Sequence, residues 1–73
     1  MPRLRKRSIL LAGHATSLAL EPEFWAALET MAQARGVSLP ALVAEIDAGR
    51  AGAPLASACR VAALSHAMSS ARS

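Results

Sequence analysis

Aromatic residues and cysteine are scarce in this sequence. Its 73 residues include one Trp, one Phe, no Tyr and a single cysteine, Cys59. One cysteine excludes an internal disulfide, and His14 and His66 stand far apart, without the spacing of a structural zinc site. We therefore expect no metal and no cofactor. So short a chain also buries a small core, and self-association is the expected source of further buried surface.

Long apolar runs are absent as well. Although 53% of the residues are hydrophobic, no stretch reaches the roughly 18 consecutive apolar residues that suggest a membrane-spanning helix. The basic start followed by SILLAGHATSLAL is similar to a secretory signal, which is one alternative, but His14, Thr16 and Ser17 interrupt its apolar part. We expect a soluble, cytoplasmic protein with no membrane partner.

Acidic residues are missing from the first twenty positions, where half of the positive charge is concentrated. Four of the eight Lys and Arg residues lie within the first seven positions, whereas the first acidic residue is Glu21. A concentrated cationic segment favours a polyanion such as nucleic acid or an anionic membrane surface, and it also suits a solvated terminus. We assign residues 1–7 to a basic N-terminal arm.

The hydrophobic pattern changes its period within the segment GHATSLALEPEFWAAL. Its first half alternates leucine with small residues, which predicts a strand with one buried face over residues 14–20. From Pro22, which suits the first turn of a helix, the apolar residues follow helical spacing. Gly36 suits a left-handed C-cap, so we predict a helix over residues 22–35.

Two further helices follow. Ser38 is a favourable N-cap and Pro40 falls in the first turn of a predicted helix over residues 39–49. The glycines and proline of DAGRAGAP end this helix. A third, alanine-rich helix is expected over residues 55–68.

A single strand followed by helices leaves its own backbone groups unpaired. An unpaired strand invites a partner chain, and the simplest partner is the same strand of a second copy, antiparallel about a two-fold axis. The order of the elements therefore predicts a homodimer.

The sequence resembles the ribbon-helix-helix proteins, a family that includes the Arc and MetJ repressors. The resemblance covers about residues 7–49 and lies in SLALEPEFWAAL and RGVSLPALVAEI; LASACRVAAL is similar to the stretch that follows in a compact bacterial subgroup. It implies a mainly α fold with one short strand and an intertwined homodimer with an intermolecular two-stranded antiparallel ribbon. We predict a ribbon-helix-helix domain over 8–50 and a C-terminal helical extension over 51–73.

The resemblance also implies a small regulator of transcription that binds double-stranded DNA and is not an enzyme. In this family the ribbon lies in the major groove, which is wide enough for two strands. The ribbon residues expected to face the bases are Ala15, Ser17 and Ala19. The residues expected to contact phosphates, from the arm and the start of the second helix, are Arg3, Arg5, Lys6, Arg7, Ser38 and Leu39. An amide of Ala41 is a further expected donor, whereas Pro40 has none.

Small side chains on the base-facing side depart from the family pattern, since long polar residues usually occupy these positions. Only Ser17 can hydrogen-bond to a base edge, so we expect weak direct readout and a contribution from DNA shape. A higher assembly of dimers on DNA is a further hypothesis. The residues assigned to the dimer core are Thr16, Leu18, Leu20, Phe24, Trp25, Leu28, Val43 and Ile46.

No catalytic constellation is evident. Cys59 lacks a nearby base, because His66 lies two helical turns away, and Glu45 and Asp47 imply no cleft. One alternative function is a protein-interaction module on the same dimer, using the small ribbon side chains or the alanines at 58, 62 and 63. A membrane-surface peptide is a third hypothesis.

Overall fold

The structure, a computed structural model, describes residues 3–71. It contains two strands and three helices in the order β1 (Arg5–Leu11), β2 (His14–Leu20), α1 (Pro22–Arg35), α2 (Leu39–Ala48) and α3 (Leu55–Ala71). Within the described residues, no helix is both long enough and apolar enough to cross a membrane.

The two strands form an antiparallel hairpin within one chain, with Arg5 opposite Leu20 and Leu11 opposite His14. The prediction of one short strand without a partner in its own chain was therefore wrong. Residues 5–7, predicted to belong to a basic arm before the strand, form the first part of β1, and residues 1–2 of that arm lie outside the described residues. The alternation in β1 was hidden because Ile9, Leu10 and Leu11 are consecutive apolar residues.

A two-residue turn at Ala12 and Gly13 closes the hairpin. Both residues have positive φ, 51° and 82° respectively. Positive φ at both central positions is what a type I′ turn requires, and this turn matches the twist of the strands that it joins. Glycine adopts this backbone freely, but alanine is strained in it, so the pair Ala12-Gly13 carries only half of the usual turn signal.

Local signals set the limits of the helices. α1 has the predicted bounds, begins after Glu21 in an extended conformation and ends at Gly36, whose φ of 69° is left-handed. α2 begins as predicted and ends one residue early, at Ala48. α3 begins as predicted and runs three residues further, to Ala71.

The core lies between the hairpin and the helices. β1 packs against α2 and β2 packs against α3, while all three helices contact one another. Its buried residues come from every element: Ile9, Leu11, Leu18, Leu20, Trp25, Leu28, Met31, Ala32, Leu42, Val43, Cys59 and Ala63. One chain thus encloses a hydrophobic core of its own.

Most residues assigned to a dimer core lie in this core. Five of them are buried within the chain: Leu18, Leu20, Trp25, Leu28 and Val43. Phe24 and Ile46 are partly buried against it, and Thr16 is half-buried on the helix-facing side of β2. Ala63, offered as a contact for a protein partner, is buried as well and has a relative exposure of 3%.

Candidate nucleic-acid interface

One face of the hairpin points away from the helices. Strand alternation and the register bring three cross-strand pairs to this face: Lys6 with Ala19, Ser8 with Ser17, and Leu10 with Ala15. All six side chains are exposed except Ala19, which is half-buried. We call these six residues the outer ribbon face.

The predicted base-facing residues Ala15, Ser17 and Ala19 therefore share one face, as alternation in β2 required. The three residues that β1 contributes to this face were not predicted, because the sequence pattern did not indicate that strand. Lys6 and Ser8 add a cation and a second hydroxyl, and Ser8 lies directly opposite Ser17. The outer ribbon face is consequently more polar than β2 alone suggested.

Arg5 and Arg7 lie on the helix-facing side of β1, but their guanidinium groups differ in their contacts. The guanidinium of Arg7 stacks 4.6 Å from the centroid of the Trp25 ring and lies 3.2 Å from the Glu29 carboxylate. The Trp25 indole N–H donates a 2.8 Å hydrogen bond to the backbone carbonyl of Arg5. Arg7 is therefore held against α1, although it stays exposed. The Arg5 guanidinium has no such contact among the described residues.

Positive charge without an acidic partner is concentrated near β1. Four cations form ion pairs: Arg7 with Glu29, Arg35 with Glu45, Arg50 with Asp47, and Arg60 with Glu21. Among residues 3–71, the cations that lack such a pair are Arg3, Arg5 and Lys6. All three are exposed. This end of the hairpin is consequently the most electropositive part of the described chain, which favours an anionic partner.

The start of α2 offers fewer free donors than predicted. Ser38 caps the helix, and its hydroxyl accepts a 3.2 Å hydrogen bond from the amide of Ala41. That amide is thereby satisfied, and Pro40 has none to offer. Leu39 keeps an amide without a hydrogen-bond partner among the described residues, so this helix terminus presents one main-chain donor to an anion.

An ion pair fixes α3 to the junction between the hairpin and α1. The Arg60 guanidinium bonds to the Glu21 carboxylate at 2.9 Å and lies 5.7 Å from the centroid of the Phe24 ring. The pKa of Glu21 is lowered, first by a hydrogen bond from its own backbone amide and then by Arg60. Glu21 is thus held as a carboxylate where the strand becomes a helix.

Cys59 has a structural environment. Its side chain is fully buried, and burial raises the pKa of the thiol, because desolvation disfavours the thiolate. Within residues 3–71, no group of three or more His, Cys, Asp or Glu side chains is arranged to hold a metal ion. The outer ribbon face and the cations beside it are therefore the best candidate for a functional site.

Comparisons with known proteins identify the family. The model of the ribbon-helix-helix domain matches residues 4–67, which include both strands and most of α3. No curated protein and no solved structure matches the chain. Domains of this kind are generally DNA-binding modules of regulators and are typically non-enzymatic. The chain belongs to the ribbon-helix-helix domain family.

Proposed function

We propose that this protein is a homodimeric, cytoplasmic DNA-binding regulator of transcription that inserts its ribbon into the major groove. The observation that carries the proposal is the grouping of Arg3, Arg5 and Lys6 at one end of an exposed hairpin. Acidic side chains neutralise the other cations of the described chain. The phosphates of DNA are the natural partner for such a group of unpaired charges.

The free edge of β2 supports a dimer. In a hairpin with a two-residue turn, the residues that flank the turn, here Leu11 and His14, form a hydrogen-bonded pair. Hydrogen-bonded and non-hydrogen-bonded pairs alternate along the strands, so the amides of Ala15, Ser17 and Ala19 point away from β1. Pairing of this edge with its copy about a two-fold axis joins two hairpins into a four-stranded antiparallel sheet, and its two central β2 strands form the ribbon that enters the groove. The intermolecular pairing of residues 14–20 is retained in this arrangement, with β1 added on each side.

Base reading by this ribbon depends on few groups. Ser17 and its neighbour Ser8 provide hydroxyls, and the exposed methyl of Ala15 suits contact with a thymine methyl. Lys6 is the one long polar side chain on the outer ribbon face. We therefore expect modest sequence preference, with affinity dominated by phosphate contacts from Arg3, Arg5 and the start of α2 at Ser38 and Leu39.

The DNA role is tested by titrating labelled duplex DNA at several salt concentrations. Each phosphate that a protein contacts contributes a slope of about −0.9 to log Kobs against log salt, so loss of one lysine reduces the slope by about 1 for each chain in contact with DNA. We expect Lys6→Ala to weaken binding and flatten this dependence, and Arg5→Ala to do the same without disturbing the hydrogen bond between Trp25 and the Arg5 carbonyl.

Arg50→Ala is the matched control. It changes the net charge by the same amount as Lys6→Ala, but Arg50 is already paired with Asp47 at 2.6 Å. Absence of binding even at low salt, or equal losses in the Lys6 and Arg50 variants, would refute the proposed interface. Selection of bound sequences from a random DNA pool then measures the sequence preference of the native chain. The same selection with Ser17→Ala shows how much of this preference comes from the ribbon.

Dimerisation through β2 is tested separately with proline. Ser17→Pro removes an outward-facing amide from the free edge of β2, and Ser8→Pro removes the equivalent amide from β1. Neither amide pairs within the hairpin, and proline is tolerated in strands where its position faces away from the ladder. We expect only Ser17→Pro to abolish the ribbon dimer in sedimentation experiments. Equal effects of both variants would contradict pairing through β2.

A protein-interaction module on the same fold is the alternative function. Lys6, Ser8 and Ser17 make the outer ribbon face more suitable for DNA than the alanines of β2 suggested, and Ala63 is buried. Recovery of a protein partner from extracts treated with nuclease would favour this alternative. Loss of every partner on nuclease treatment would favour the DNA role.

A further inference from the structure

Glu29 is the one acidic side chain that pairs with a cation of the hairpin among the described residues. Its carboxylate lies 3.2 Å from the guanidinium of Arg7, and the two side chains are 51% and 41% exposed. Exposed ion pairs of this kind contribute little to the stability of a fold. The contact between Glu29 and Arg7 is therefore weak enough to open in exchange for another anion.

The Arg7 guanidinium is oriented by its flat face and keeps most of its donors free. It stacks 4.6 Å from the centroid of the Trp25 ring, which is buried and fixed by its hydrogen bond to the Arg5 carbonyl. A guanidinium carries five N–H donors along its edge, and among the described residues Arg7 makes one hydrogen bond, to Glu29. Stacking on an aromatic ring leaves this edge available to a phosphate. Arg7 is thus an oriented anion site, and the Glu29 carboxylate occupies it in the free chain.

In the proposed dimer, β1 lies close to the phosphates at the edges of the major groove. The sheet has two central β2 strands and one β1 on each outer side, so three strand spacings of about 4.8 Å place the two β1 strands about 14 Å apart. The groove is about 12 Å wide, which is enough for the two central strands and too narrow for all four. The edge strands therefore lie against the phosphate backbones, where the exposed guanidinium of Arg7 meets phosphate oxygens.

We propose that Glu29 competes with DNA for Arg7. Its carboxylate occupies a donor that a phosphate oxygen takes in the complex, so Arg7 contributes to affinity only by the difference between its two partners. This inference rests on the proposed DNA role and adds a regulated phosphate contact to Arg3, Arg5 and Lys6. The expected consequence of Glu29 is a shorter residence time on DNA, because changes at an interface act mostly on dissociation.

The first test is titration of labelled duplex DNA with Glu29→Gln at low salt. This variant keeps the size of the side chain and removes its charge. An exposed ion pair is worth about 0.2–1 kcal/mol, which converts to a gain in affinity of about 1.4- to 5-fold for each chain and about 2- to 25-fold for a dimer. Asp47→Asn is the matched control, because it removes the same charge and releases Arg50 at the end of α2. Equal gains in the two variants would overturn the proposal.

The second test asks whether Glu29 acts through Arg7. In an Arg7→Gln background the gain from Glu29→Gln should fall to that of Asp47→Asn, because the guanidinium for which carboxylate and phosphate compete is absent. An undiminished gain would show direct repulsion between Glu29 and DNA and would overturn the competition.

Thermal unfolding shows whether Arg7→Gln folds, and Glu29→Asp decides the question if it does not. Glu29→Asp keeps the charge but withdraws it from Arg7 by one methylene. We expect it to bind DNA more tightly than the native chain at the same net charge. In that case, affinity equal to that of the native chain would refute the competition.

The same titrations separate this inference from the DNA role itself. A native chain that binds DNA, with a gain in Glu29→Gln no larger than in Asp47→Asn, refutes only the competition for Arg7. Absence of binding by the native chain and by Glu29→Gln at low salt refutes the DNA role and the competition with it.

Discussion

Replacing Ala12 with asparagine should stabilise the protein. Ala12 has a φ of 51° in the turn between β1 and β2 and is followed by Gly13 at 82°. A left-handed backbone costs about 1–2 kcal/mol for an ordinary L-residue, and asparagine is one of the few that adopt it readily. We expect Ala12→Asn to recover about 1 kcal/mol of unfolding free energy, without the gain in unfolded-state entropy that glycine would bring.

In a domain of this size 1 kcal/mol corresponds to a shift in Tm of about 4–8 °C. The measurement is thermal unfolding followed by circular dichroism at one fixed concentration, since assembly also affects Tm. Ala44→Asn is the control, because Ala44 is exposed within α2, where asparagine has a lower helix propensity than alanine by up to about 0.7 kcal/mol.

The two variants should therefore move Tm in opposite directions. If residues 12 and 13 form a type I′ turn, Ala12→Asn should increase Tm. If β2 paired with a partner strand alone and residues 12 and 13 formed a loose loop, the substitution would leave Tm unchanged or lower it. That result would refute the intramolecular hairpin.

Three further predictions concern side chains that link the hairpin, α1 and α3. Because the pKa of Glu21 is lowered in the folded state, its carboxylate contributes stability at neutral pH, and this stability is lost as the pH falls through the folded pKa. In urea titrations, Glu21→Gln should therefore be less stable than the native chain at pH 7. This difference in stability should shrink below the ordinary pKa of the Glu21 carboxyl, 4.5. A pH-independent difference would contradict this assignment. Trp25→Phe removes the indole donor to Arg5 and should cost about 1–3 kcal/mol in the same assay; an unchanged free energy of unfolding would show that this hydrogen bond is dispensable. Cys59 is fully buried and its pKa is raised, so a thiol reagent should label it only as fast as the chain opens; immediate labelling of the native protein would contradict the burial.

Local signals explain which elements were predictable. Pro22 and Gly36 mark the ends of α1 through their own backbone preferences, and leucine alternation marks β2. These predictions needed no knowledge of the rest of the chain, and the structure confirms them. The family resemblance is confirmed as well by the match over residues 4–67.

The features that sequence analysis missed depend on contacts between distant residues. β1 is recognisable only through its pairing with β2 and its position over Trp25. In the sequence alone, Arg7 does not differ from the neighbouring Arg5 and Lys6, and only its contact with the Trp25 ring distinguishes it. Alanine is equally ambiguous, because its size suits both core and surface; Ala63 is buried, whereas Ala67 in the next turn is exposed. The prediction of a strand without a partner in its own chain was wrong because β1 was not recognised.

The position of Trp25 gives this protein a built-in optical reporter. It is the one tryptophan, no tyrosine is present, and the indole lies beneath β1 between the Arg5 carbonyl and the Arg7 guanidinium. Its emission therefore reports the environment behind the ribbon. Detachment of β1 should shift the emission to longer wavelength and make the indole accessible to quenchers. A single intrinsic fluorophore thus reports opening of the hairpin without any added label.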